Sequence, residues 1–152
     1  MFRGLNSVQL DPKGRLAIPS RYRQPLQELC ANRLIFTIDT EQACLLLYPL
    51  PIWLEIEKKL TVLPSFDAQA RRIQRLLIGH ATEVELDAAG RLLVPPPLRE
   101  YAGLEKSVAL IGQGNKFEVW SEAQWKQGRE TWLAEPLAEI ESLPDALKNL
   151  AL

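Results

Sequence analysis

Two stretches of this chain follow one pattern. Val8-Gln9-Leu10-Asp11-Pro12-Lys13-Gly14-Arg15-Leu16-Ala17-Ile18-Pro19 is matched by Val84-Glu85-Leu86-Asp87-Ala88-Ala89-Gly90-Arg91-Leu92-Leu93-Val94-Pro95. Each reads apolar, polar, apolar, Asp, two residues, Gly-Arg, three apolar residues, Pro, and Asp11 and Asp87 stand 76 positions apart. An ordered repeat of this kind means one supersecondary unit built twice. Asp at the first position and Gly at the fourth suit a type I turn, and Pro12 sits where that turn favours proline. The flanks alternate or are β-rich, so each copy predicts a β-hairpin. Asp11, Gly14, Asp87 and Gly90 are its turn residues, and Arg15 and Arg91 leave the turn four residues after the aspartate.

The rest of the chain continues the repetition. Ser20 is placed to cap a short helix whose face is Tyr22, Leu26 and Leu29, with Pro25 making it short or irregular. Leu34, Phe36 and Ile38 alternate as a half-buried strand should, 39–42 is a polar turn and 43–48 an apolar strand. Pro51 suits the first turn of a helix with the face Ile52, Trp53, Ile56 and Leu60. After the second hairpin comes a short helix to Ala102 closed by Gly103. Strands over 108–112 and 117–120 follow, then a helix from Ser121 with Gln124 as its capping-box partner and Trp125 and Trp132 on one face. A linking helix over 66–77, closed by Gly79, carries Ile73, Leu76 and Leu77 on one side and Arg71, Arg72 and Arg75 on the other. Beyond Leu133 the chain turns acidic, with Glu135, Glu139, Glu141 and Asp145. Leu137, Ile140, Leu143, Leu147 and Leu150 suit a short terminal helix interrupted by Pro136 and Pro144. The resulting division is repeat one over 5–52, linking helices over 53–80, repeat two over 81–124, and a C-terminal helix and acidic tail over 125–152.

At 152 residues, 47% apolar and 24% charged, the chain has the composition of a soluble globular protein. No apolar run reaches the roughly 18 residues of a membrane span, and the opening Met1-Phe2-Arg3-Gly4 is not that of a signal peptide, which predicts a cytoplasmic protein without membrane contact. Cys30 and Cys44 fit no close-spaced motif and predict buried thiols in a reducing compartment. Net charge is −1. Residues 1–23, however, carry Arg3, Lys13, Arg15, Arg21 and Arg23 against Asp11 alone. Residues 79–99 carry Arg91 and Arg99 against Glu83, Glu85 and Asp87. A local basic stripe is an electrostatic footprint for a phosphate backbone, or equally a solvated basic surface.

Catalytic readings find little material. His80 is the single histidine. No Cys, His, Asp and Glu cluster has metal-ligand spacing, and no Gly-rich loop has the phosphate-cradling pattern, so neither metal nor cofactor is expected. Turn chemistry accounts for Asp11 and Asp87 without catalysis. The Asp11–Arg15 and Asp87–Arg91 pairs can simply hold their turns. They can also present arginine to phosphates or a guanine edge, because a two-stranded ribbon fits the major groove. Lys13 at the first turn's tip favours the nucleic-acid reading there; Ala89 holds the matching place in copy two.

The opening Met1-Phe2-Arg3-Gly4, the two Asp-x-x-Gly-Arg turns, Cys44-Leu45-Leu46-Leu47-Tyr48-Pro49, Arg71-Arg72-Ile73-Gln74-Arg75-Leu76-Leu77 and Asn115-Lys116-Phe117-Glu118 resemble the MraZ family of bacterial transcriptional regulators. The resemblance runs from residue 1 to about 133. It implies an α+β, β-rich fold: tandem AbrB-like swapped-hairpin repeats interlocked into one pseudo-twofold β-barrel with flanking helices. It further implies assembly into homo-oligomeric rings and binding to short direct repeats in double-stranded promoter DNA. The target it implies is the division and cell-wall gene cluster that contains the family's own gene, usually repressed. Interlocking also suits the residues themselves, since a half alone would expose unpaired hairpin edges.

These observations lead to a cytoplasmic, nucleoid-associated, non-enzymatic DNA-binding regulator whose contacts are Arg3, Lys13, Arg15 and Arg91, with copy one contributing most. The rival is a ring-forming scaffold whose basic turns bind an acidic protein partner.

Overall fold

The computed structural model describes residues 1–136 and 142–150. Repeat one supplies β1 (Phe2–Gln9), β2 (Arg15–Ala17), α1 (Ser20–Cys30), β3 (Arg33–Ile38), β4 (Leu45–Pro49) and α2 (Leu50–Thr61). After α3 (Ala68–Leu77) the order recurs as β5 (Thr82–Glu85), β6 (Arg91–Leu93), α4 (Pro96–Tyr101), β7 (Ser107–Gly114), β8 (Phe117–Ser121) and α5 (Glu122–Ala134). A last short helix is α6 (Asp145–Lys148).

The strands flanking each turn do not form the local hairpin that their sequence predicts. Within copy one the ladder is reduced to an isolated bridge between Leu10 and Leu16. Instead all of β1 pairs antiparallel with β7 of the other copy, from Phe2↔Gly114 to Gln9↔Ser107. In the reciprocal exchange β5 pairs with β3, Val84 opposite Leu34. β4 and β8 join the two halves, giving the sheet order β1-β7-β8-β4-β3-β5. The short β2 and β6 pair with each other as a separate two-stranded ribbon, Leu16 opposite Leu92. The physical reason is length: a three-residue β2 offers β1 almost no partner, whereas β7 satisfies its whole backbone edge. The hydrogen-bonded ladder is an open six-stranded sheet plus a two-stranded ribbon and does not close into a barrel by itself.

One core is shared by both copies. Leu16, Ile18, Leu92 and Val94 are fully buried and belong to the same cluster as Leu34, Phe36, Leu45, Leu47, Leu110 and Phe117. A second cluster lies on the other face of β3 and β4, where Ile35, Leu46 and Tyr48 meet Trp53 and Leu60 of α2. This makes β3 buried on both faces rather than half-buried, and Thr37 is satisfied there by donating to the Leu77 carbonyl at 2.7 Å. Cys30 and Cys44 are buried free thiols, and loss of hydration pushes both up from the ordinary thiol range.

Two helices differ from the sequence-based expectation. α1 is neither short nor capped by Ser20: it begins at Ser20 behind Pro19 and runs straight through Pro25. Pro25 and Arg21 lie on the solvent side, where water can serve the carbonyl that the proline leaves unpaired. The face of α1 is Tyr22, Leu26 and Cys30, with Leu29 exposed. α3 starts at Ala68 under Asp67, whose carboxylate accepts from the Ala70 N–H at 2.9 Å, and its buried residue is Ala70. Residues 123–152 form a separate compact unit. In it the rings of Trp125 and Trp132 meet at a tilt of 59° with centroids 5.8 Å apart, and Trp132 lies against Gly128. The expected tail positions Leu137, Glu139, Ile140 and Glu141 lie outside the described residues. Among the described residues no helix is long and apolar enough to cross a membrane.

The exchange predicts that the halves are not independent. Fragments separated between α3 and β5 are expected to aggregate or to dimerise, and Leu92→Ala in the full chain to cost about 2–5 kcal/mol in denaturant unfolding. Two soluble monomeric halves, each with its own sharp unfolding transition, would contradict the shared core.

Candidate nucleic-acid interface

Each turn is built by its aspartate. Asp11 Oδ1 accepts from the backbone N–H of Lys13 at 3.0 Å and of Arg15 at 2.8 Å, while Oδ2 accepts from Arg15 Nε at 2.6 Å. Asp87 repeats this with Ala89 at 2.9 Å, Arg91 at 2.9 Å and Arg91 Nε at 3.0 Å. The turns close through Gly14 N–H to Asp11 O and Gly90 N–H to Asp87 O, both 2.9 Å. Gly14 and Gly90 hold φ of +81° and +76°, a region other residues avoid. Both carboxyls are held below the usual aspartate range. The largest cause is the backbone N–H of the following arginine, opposed in part by burial and reinforced by the guanidinium.

The β2–β6 ribbon then aims the arginines. The Ile18 N–H donates to Gly90 O and the Val94 N–H to Gly14 O, both at 2.9 Å, so each turn is stitched to the other copy's strand. Leu16 and Leu92 point inward and are fully buried. Alternation therefore puts Arg15, Ala17, Arg91 and Leu93 on the outer face. Arg15 stands opposite Leu93 and Arg91 opposite Ala17. The two arginines are thus diagonal neighbours, with roughly 7–8 Å between them. Each bonds its aspartate through Nε, and among the described residues no hydrogen bond engages their Nη groups.

Two further arginines were missed in the sequence. A Cβ placed on Gly14 would collide with the Arg99 guanidinium, and one on Gly90 with that of Arg23. Arg23 Nε also donates to the Ile18 carbonyl at 3.0 Å. Each turn is therefore covered by an arginine from the helix that follows the other copy's ribbon strand. The available signal was position: Arg23 and Arg99 share the 76-residue offset of the aspartates. The exchange also redistributes charge. Arg23, counted with copy one along the chain, lies on turn two. Turn one gains Arg99 and lies beside Lys106 and Glu105, with Leu10 N–H bonded to Lys106 O at 2.8 Å. On the other side Glu83 is paired with Arg33 at 3.0 Å. The contrast between a basic first stretch and an acidic second one is thus weaker in space than along the chain.

The structure does not bring Arg3 to the ribbon. It pairs in register with Gln113 at the far end of β1, eight residues or roughly 25 Å of strand from Asp11. There it lines a cleft with Arg21 and Tyr22, whose hydroxyl donates to the Arg3 carbonyl at 2.5 Å. Lys13 is exposed at the tip of turn one. His80 places Nδ1 2.7 Å from the Leu76 carbonyl, at the end of α3. Among the described residues no three His, Cys, Asp or Glu side chains gather as a metal site.

The family model described as MraZ protein, antitoxin-like, matches residues 1–76 and again residues 77–143. Curated relatives align over the full 152 residues and over 100% of both chains. They include proteins of Coxiella burnetii at 58% identity and of Halorhodospira halophila and Legionella pneumophila at 57%, each named transcriptional regulator MraZ. The chain belongs to the MraZ family. Each of its two family-matching stretches contains one Asp-x-x-Gly-Arg turn, and the ribbon unites them.

The lowered carboxyls set a pH dependence for this MraZ family ribbon. A group whose folded value lies below its unfolded one contributes stability above the unfolded value and loses it as pH falls through the folded value. The melting temperature is therefore expected to fall as pH drops below about 4, the ordinary aspartate value. In the Asp11→Asn, Asp87→Asn double variant that part of the profile should flatten. Parallel melting curves from pH 7 to pH 2.5 for the two proteins would show that these carboxylates do not contribute.

Proposed function

We propose that the chain is a sequence-specific DNA-binding transcriptional regulator that inserts the β2–β6 ribbon into the major groove. The observation that carries this reading is the diagonal pair Arg15 and Arg91 on the outer ribbon face, with their Nη groups unengaged. A groove about 12 Å wide admits a two-stranded ribbon, and arginine reads guanine edges in it. Lys13 at the tip meets phosphate, and Arg3, remote from the ribbon, meets a flanking phosphate. Asp11, Gly14, Asp87 and Gly90 shape the turns. The relatives' shared name supports regulation of transcription. The role is non-enzymatic and cytoplasmic, and the protein is nucleoid-associated.

The finer reading follows the family resemblance. Ribbon and sheet wrap one pseudo-twofold barrel, a view supported by the core cluster in which Leu16 and Leu92 join residues of both copies. Chains assemble into a homo-oligomeric ring, and the ring binds direct repeats in the promoter of the protein's own division and cell-wall gene cluster, which it represses. Linked weak contacts favour such an arrangement, because each further contact is made at high effective concentration.

Titration of duplex from the DNA upstream of the protein's own gene tests this. Arg15→Ala is expected to cost roughly 1–3 kcal/mol and to blur sequence preference. Arg91→Ala should have the same sign and a smaller size, since turn two offers Ala89 where turn one offers Lys13. Lys13→Ala should weaken all duplexes alike and lower the salt slope by about one unit. Undiminished binding by a folded Arg15→Ala, Arg91→Ala double variant would remove the ribbon from the reading, and indifference of the unmodified chain to duplex would favour the scaffold.

A further inference from the structure

The ribbon leaves two charged features of the chain unused. The first is the outer face of α3. At 100° per residue, Arg71, Arg75 and Arg72 fall within one sector of the helix, opposite the buried Ala70. All three are exposed, and among the described residues none is in an ion pair. Arg71 and Arg75 stand at i, i+4 and Arg72 and Arg75 at i, i+3, spacings at which like charges repel on a helix. The helix carries no carboxylate of its own, and its capping Asp67 is engaged by the Ala70 N–H. A basic sector without ion-pair partners among the described residues suits an acidic partner segment.

The second feature has that composition. From Glu135 to Asp145 the sequence carries Glu135, Glu139, Glu141 and Asp145 with no Lys or Arg, interleaved with Leu137, Ile140 and Leu143. We infer that this acidic segment of one chain docks on the Arg71, Arg72 and Arg75 face of a second copy. The contact joins two different surfaces, so it is heterologous, and repetition of it generates a ring or a filament. The inference rests on the oligomeric part of the proposed function and names the surfaces that build the oligomer.

Sedimentation of full-length chains tests it. One variant carries Arg71→Glu, Arg72→Glu and Arg75→Glu; the other carries Glu135→Arg, Glu139→Arg and Glu141→Arg. Each alone should self-associate at least tenfold more weakly than the unmodified chain, with melting curves confirming the fold. Mixed in equal amounts they should assemble together again, because the first variant's acidic segment suits the second's basic helix and the second's basic segment suits the first's acidic helix. A chain carrying all six substitutions should assemble again. Unchanged assembly in both single-surface variants overturns the inference while leaving the oligomer intact. Unchanged assembly with uniformly weaker duplex binding by the α3 variant overturns it and makes α3 a phosphate-contacting surface. A monomeric unmodified chain overturns it together with the oligomeric reading, whereas duplex binding through the ribbon is measured separately by the Arg15 and Arg91 variants.

Discussion

The pairing of Leu16 with Leu92 is the contact on which the rest depends. It is the centre of a ribbon only three residues long on each side, and a ribbon this short has little stability of its own. It persists because both leucines are fully buried in the core that the two copies share. Once the ribbon forms across copies, β1 and β5 are left without local partners and must reach the opposite half. The long β1–β7 ladder and its counterpart β5–β3 follow from that. A point change at the ribbon would therefore act on the whole molecule rather than on one repeat.

Much of this was legible in the residues, for identifiable reasons. The turns were readable because Asp, Gly and Pro act locally: a carboxylate two and four residues from the amides it accepts, and a glycine where φ must be positive. The strands were readable from β-rich runs. The partner of each strand was not, because a hairpin and its exchanged form bury the same side chains, and alternation carries no record of which copy supplies the other edge. The same blindness hid Arg23 and Arg99. Along the chain each belongs to its own copy's helix, and only the exchange lays it over the other copy's glycine. Arg3 is the reverse case: it is close in sequence to Lys13, and an extended strand carries it away from the ribbon.

Burial patterns show a similar division. Leu34, Phe36 and Ile38 were correctly apolar, but Ile35 and Thr37 between them are buried as well, because α2 and α3 cover the second face. Alternation predicts one wet face only when nothing packs there. Pro25 was expected to shorten its helix. It does not, since the carbonyl it deprives is on the solvent side and Tyr22, Leu26 and Cys30 anchor the opposite side.

The Asp–Arg pairs of the two turns make a further physical point. An exposed ion pair contributes at most about 1 kcal/mol, so stability alone is a weak account of why each arginine is held by a carboxylate. Orientation is a stronger one. The aspartate binds Nε and the backbone amides at once, which constrains the guanidinium relative to the ribbon while leaving its Nη groups without a hydrogen bond among the described residues. A guanidinium already oriented loses less side-chain entropy when it meets a planar acceptor. Within the proposed function, the carboxylate would thus lower the ordering cost of base reading while its own charge opposes the approach of phosphate. The balance favours contact only where the arginine reaches past the aspartate to a base edge. Shape and charge together would then discriminate a groove contact from a backbone contact.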